Sequence, residues 1–154
     1  EGAPRLLKSV YLAEGALAER NRMLMRKYEA MKAESAFVSE SVGDAELVVV
    51  AFGSVARIAR SAIRRLRAEG HRIGLFRPVT LFPFPEEALR ALAPGRRFLV
   101  VEQNTGQMVE DVRLALFGQP GVGARNVLWH GVMPGLFIGS EALREPMLQA
   151  LKEK

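Results

Sequence analysis

AELVVVAFGSVARIARSAIRRLRAEG, residues 45–70, decides the fold class. LVVVAF, residues 47–52, is apolar without a break, as expected of a strand covered on both faces. Gly53 and Ser54 then turn the chain into a helix over 55–69. Val55, Ile58, Ala59, Ala62, Ile63 and Leu66 form its buried stripe at helical spacing. Gly70 stands where a helix commonly ends on a glycine. A buried strand leading at once into an amphipathic helix is the repeating unit of a parallel α/β sheet.

The same alternation continues downstream. RIGLFR at 72–77 predicts a second strand, and Pro78, Pro83 and Pro85 then exclude regular helix or central strand. Pro85 suits the first turn of a short helix over 85–93, with Glu86 and Glu87 facing its positive end. FLVVE at 98–102 is the third strand, followed by a helix from about 106 to 117 closed by Gly118. NVLWHG at 126–131 is the fourth strand. A last helix covers 141–152, delayed or kinked at Pro146. Upstream, SAFVSESVGD at 35–44 holds a short edge strand around Phe37 and Val38. Before it, Leu17, Asn21, Leu24, Tyr28 and Met31 recur at alternating steps of four and three, predicting a long helix over 12–33 with a narrow apolar seam. That helix is expected to pack on its own domain or on a neighbouring subunit. The division expected is a linker and helix over 1–34 and an α/β domain over 35–154. The predicted fold is a three-layer α/β/α sandwich with a mostly parallel sheet.

Composition narrows the function. The 154 residues contain no cysteine, which excludes disulfides, thiolate catalysis and cysteine-held zinc or iron–sulfur centres on this chain. The net charge of +5 raises the question of nucleic acid. The excess is spread out, however, and its densest cluster (Arg57, Arg60, Arg64, Arg65 and Arg67) shares a helix with a separate apolar face. A solvated face or subunit contact is the favoured reading, with no nucleic-acid partner. No stretch approaches the ~18 apolar residues of a membrane span, and a cytoplasmic setting is expected. The opening EGAPRLLKSVYL has neither an initiating methionine nor a signal-peptide core, and is expected to begin an excised piece of a longer chain.

Candidate site residues gather where strands end. A glycine and a hydroxyl at a helix start, Gly53 and Ser54, can cradle a phosphate through backbone N–H groups. The three-glycine dinucleotide fingerprint and the Gly-Lys-Ser/Thr phosphate loop are both missing. Ser54 is therefore read first as a helix cap. A nucleophilic Ser54 would need a base. His71 lies at the far end of the sheet, and His130, although at the right edge, lacks the G-x-S-x-G elbow. Arg77 and Glu102 end neighbouring segments on one sheet edge and are expected to pair. Asn104 and Gln107 have capping-box spacing before the following helix, and Gly106 permits an unusual backbone. Gly53, Ser54, Arg77, Glu102, Asn104 and Gln107 thus form a polar rim or anion site, with no catalytic or metal-binding residue among them.

Three segments in order, residues 45–70, IGLFRPVTLFPFPEEAL and FLVVEQNTGQMVEDVRLAL, resemble the C-terminal domain of the alpha subunit of 2-oxoacid:ferredoxin oxidoreductases. RLLKSVYL and KYEAMK extend the similarity over nearly the whole chain, and the 2-oxoisovalerate and 2-oxoglutarate branches fit better than the pyruvate branch. The resemblance implies a domain like the C-terminal domain of transketolase: a five-stranded mixed sheet with one antiparallel strand, here assigned to Phe37–Val38. It also implies an oligomeric complex that uses thiamine diphosphate, magnesium and iron–sulfur clusters, reduces ferredoxin and acylates coenzyme A. The Gly-Asp-Gly metal–diphosphate motif and the pyrimidine-binding portion are absent from these 154 residues. No cofactor is therefore assigned to this chain, and its expected contribution is assembly with the other domains and subunits. A free-standing phosphate- or nucleotide-binding module built on the Ser54 and Asn104 helix starts is the alternative.

Overall fold

A computed structural model describes residues 10–152, which form two compact units divided between Glu34 and Ser35. In the first unit, α1 (Ala16–Met31) leads into a 3-10 turn at Lys32–Glu34. Ion pairs Glu19–Arg22 and Glu29–Lys32 span single helical turns on its surface.

The second unit begins with β1 (Phe37–Glu40) and β2 (Leu47–Val50), followed by α2 (Gly53–Ala68) and β3 (Ile73–Pro78). Then come α3 (Glu86–Arg90), β4 (Arg97–Glu102), α4 (Met108–Leu116), β5 (Val127–Gly131) and α5 (Arg144–Lys152). The strands form one sheet in the order β1-β3-β2-β4-β5. Only the β1–β3 pair is antiparallel, with Val38 opposite Arg77, so the Phe37–Val38 segment is the antiparallel edge strand.

Alternation along the strands builds the three layers. Leu47, Val49, Leu75, Leu99 and Val101 face one core, closed by Ala59, Ile63 and Leu66 of α2 and Met147 of α5. Val48, Val50, Phe76, Phe98 and Val100 face the other, closed by Leu89 of α3 and Val109, Val112 and Leu116 of α4. The central strand β2 is buried at every position, which is why its residues read as an unbroken apolar run.

The helix ends differ instructively from expectation. At the C-terminus of α2, Gly70 takes φ +95°, its N–H meets the Arg67 carbonyl and the His71 N–H reaches back to Leu66. That is the six-to-one and five-to-two bonding of a glycine-terminated helix. At its N-terminus, Phe52 is the capping residue and Ser54 already lies inside the helix, so Ser54 makes no cap. The α-helix α5 starts at Arg144, three residues after the expected 141, so the expected delay is present, and Pro146 does not end the helix. The proline occupies the third position, within the first turn, where a missing N–H is tolerated, after a 3-10 turn at Glu141–Leu143.

Candidate functional site

Parallel strands β2, β3 and β4 bring their carboxyl ends to one edge of the sheet, and the chain leaves β2 toward β3 on one side while β4 lies on the other. Ligands of open α/β sheets favour such a reversal point. Gly53 and Ser54 follow β2, and Glu102, Asn104 and Gln107 end or follow β4, so five of the six predicted rim residues flank it. Arg77 does not join them. It lies on β3, and β2 stands between β3 and β4, which separates Arg77 from Glu102 by two strand spacings, roughly 9–10 Å. The expected Arg77–Glu102 pair does not form, because the two strands are not neighbours.

Glu102 is instead wholly buried under the start of α4. Its Oε2 accepts the Met108 N–H at 2.9 Å, and its Oε1 accepts the Val109 N–H at 3.1 Å. Oε1 also accepts the indole N–H of Trp129 at 3.1 Å. An α-helix leaves its first N–H groups without internal partners and carries a partial positive charge there. A carboxylate, which only accepts, satisfies both conditions. The strand end thus caps the helix across a five-residue link, and the capping box predicted for Asn104 and Gln107 is not made. Gln107 is the N-cap residue with no side-chain bond, while Asn104 Oδ1 accepts the N–H of Gly106 at 2.8 Å and of Gln107 at 3.4 Å. Asn104 shapes the loop and Glu102 holds the helix.

Two glycines complete the arrangement. Gly106 takes φ +101°, and a Cβ there would lie 3.5 Å from the Trp129 ring; at Gly131 a Cβ would overlap that ring. Trp129 was not among the residues singled out from sequence. Its role emerges from the β4–β5 register, which sets Val100 beside Trp129 and Glu102 beside Gly131, so the indole and carboxylate share a face.

Loops around this lock are tied to one another. The Val132 N–H donates to the Glu102 backbone carbonyl at 3.0 Å, and Gln103 Nε2 donates to the Leu136 carbonyl at 2.6 Å. A groove of about 450 Å³ runs from Ser54, Arg57, Ile58 and Ser61 on α2 to Phe137–Ser140. Burial holds the His130 imidazole below its ordinary pKa, and no hydrogen bond joins it to Ser54 among the described residues.

Burial, then the neighbouring carboxylates Glu110, Glu102 and Glu86, hold the Asp111 carboxyl above its ordinary pKa. An acid raised on folding binds its proton more tightly in the native chain, so stability falls as pH rises through the native value. Asp111→Asn is therefore expected to melt slightly above the parent at pH 7. The gap should narrow as pH falls through the raised native value of Asp111 and vanish below the ordinary carboxyl range, where the parent is protonated in both states. Thermal melts across that range check the sign; a variant less stable at pH 7 contradicts it.

Thiamine diphosphate with magnesium, or an iron–sulfur cluster, would need metal-ligating or thiolate groups at this site. Among the described residues no group of three or more His, Asp or Glu could hold a metal ion. The oxygens of Glu102, the buried carboxylate at the reversal point, are turned to N–H donors of the protein. The sequence offers no cysteine for a cluster. These groups do not fit here.

The mixed five-stranded sheet with helices on both faces places the chain among three-layer α/β proteins with one antiparallel edge strand. A 2-oxoglutarate:ferredoxin oxidoreductase from Magnetococcus marinus, solved with 2-oxoglutarate, coenzyme A and succinyl-CoA bound, superposes with a TM-score of 0.73 at 20% identity, over 92% of this chain and 24% of that one. An inactive tetramer of a split-gene transketolase superposes at 0.64 and 18% identity, over 77% of this chain and 42% of that one. Residues 45–130 match the family described as pyruvate:ferredoxin oxidoreductase core domain II, and the chain belongs to that family. Ketoisovalerate oxidoreductase subunit VorB of Methanothermobacter thermautotrophicus is 45% identical over 117 residues, which are 75% of this chain and 33% of that protein. 2-Oxoglutarate synthase subunit KorA of Methanocaldococcus jannaschii is 39% identical over 69 residues, 45% of this chain and 19% of that protein. The chain thus spans about a third of the length of the VorB relative.

Proposed function

We propose that this chain is the noncatalytic, assembly-forming domain of the alpha subunit of a 2-oxoacid:ferredoxin oxidoreductase. In the whole complex a 2-oxoacid is oxidatively decarboxylated, ferredoxin is reduced and coenzyme A is acylated. Thiamine diphosphate, magnesium and iron–sulfur clusters sit on other domains and chains. The 45% identity to the ketoisovalerate subunit, against 39% over a shorter stretch to the 2-oxoglutarate subunit, supports a branched-chain 2-oxoacid as substrate. A cytoplasmic, oligomeric complex fits this reading. Among the described residues no helix is long and apolar enough to cross a membrane.

One observation carries the noncatalytic part of this reading. The acid at the reversal point, Glu102, has both oxygens bonded to the chain's own N–H groups and is buried, so it is spent on structure. Calorimetric titration of the 154-residue chain with thiamine diphosphate and magnesium is expected to give no binding heat. Micromolar binding would overturn the reading.

A further inference from the structure

The β5–α5 connection displays large apolar side chains from an ordered loop. Met133, Leu136 and Phe137 are 59%, 60% and 93% exposed. The loop holding them is pinned at several points. Val132 bonds the Glu102 carbonyl, the Leu136 N–H bonds the Met133 carbonyl, Gln103 holds the Leu136 carbonyl, and Ile138 is buried in the core. Fixing a loop so that three large apolar groups face water costs solubility with no gain inside the domain. Around this centre lies a polar margin: Ser54 and Arg57 across the adjoining groove, and Gln103 on the β4 side. An apolar centre with a polar rim is the anatomy of a protein interface.

Charge and length select the occupant. Arg57 makes no ion pair among the described residues. Two carboxylates on neighbouring elements are committed elsewhere: Glu102 is buried, and Glu141 pairs with Arg65 at 3.2 Å. A second copy facing this surface would oppose Arg57 with another Arg57-bearing margin whose adjoining Glu141 is already paired with Arg65, so self-pairing leaves the cation poorly matched. About two-thirds of the VorB relative lies outside the matched third. Contacts between domains of one chain are modest and more polar than obligate interfaces, and the tether raises their effective concentration. Resting on the assembly reading above, we propose that the Met133/Leu136/Phe137 loop, with Arg57 at its margin, is the docking surface for the remainder of the same subunit. That remainder presents an apolar patch with a carboxylate opposite Arg57.

The test replaces the matched third of M. thermautotrophicus VorB with this chain. Hydrogen exchange of residues 132–140 is then compared in the 154-residue chain, the chimeric subunit alone, and the chimera coexpressed with its partner subunits. At least tenfold slower exchange in the chimeric subunit alone is expected. Phe137→Asp and Arg57→Glu should each abolish that protection, while Arg64→Glu, elsewhere on α2, should keep it. Both key side chains point outward, so melts of the 154-residue variants should match the parent. Should Phe137→Asp misfold, Arg57→Glu decides alone. Protection that appears only with partner subunits, or that depends on concentration in the isolated chain, assigns the surface to another occupant and overturns the proposal, as does no protection anywhere. Failure of the chimera to assemble with its partners counts against the assembly reading instead, whatever residues 132–140 show.

Discussion

Glu102→Ala is expected to lower the unfolding free energy by roughly 3–5 kcal/mol. The substitution leaves the buried N–H groups of Met108 and Val109 without their acceptor and the partly exposed Trp129 indole with only water, and each orphaned buried donor costs about 1–3 kcal/mol. Water entering the vacated space recovers part of that, and the lost charge–dipole interaction at α4 adds to it. Domains of this kind hold about 5–15 kcal/mol in total. A melting-temperature drop on the order of 10 °C should follow. Glu102→Gln refines the argument. With its amide oxygen in the Oε1 position it keeps Val109 and Trp129 but turns an NH₂ toward the Met108 N–H, so its loss should be about 1–3 kcal/mol, smaller than that of alanine. Trp129 is the sole tryptophan, so its fluorescence reports the site directly, and a red shift should accompany the alanine variant. An alanine variant that melts with the parent would show that the three bonds contribute nothing net.

Gly74→Ala should be the other severe substitution, at about 3 kcal/mol, the upper part of the usual range for overpacking. A Cβ at Gly74 would sit 2.7 Å from the Ser41 carbonyl oxygen and 2.9 Å from the Val42 Cα. Both are backbone atoms, which cannot rotate aside as a side chain would. Ser41 itself is held at φ +54° to make the turn that brings its carbonyl there. Relief requires the β1–β2 connection to move, so amides of Ser39 and Glu40 on β1 should lose exchange protection before those of β2. Gly43→Ala is the control, since nothing lies within 4 Å of its position. Equal melting temperatures for the two variants would remove the steric explanation.

Most of the fold was legible because its signals are local. The unbroken run of β2, the stripe of α2, the glycine after that helix and the proline at 85 each act within a few residues, and each element appears within a turn of its expected place. The antiparallel edge at Phe37–Val38 came from the family resemblance and is also present. The site was less legible. Asn104 and Gln107 have capping spacing, yet the cap comes from Glu102, because β4 ends directly beneath the helix it precedes. Ser54 is the residue type that caps helices, yet α2 begins one position earlier, with Gly53 at φ +57° making the turn.

The amino-acid sequence by itself therefore determined the layered α/β class, the order of elements and the family, since periodicity, turn residues and motif order all lie along the chain. Only the tertiary structure decided which polar groups meet. Strand order is a matter of non-local pairing: placing β2 between β3 and β4 separated Arg77 from Glu102, and placing β5 beside β4 delivered Trp129 to the carboxylate. A buried carboxylate must find donors wherever the fold brings them, and that search is settled in space rather than in sequence.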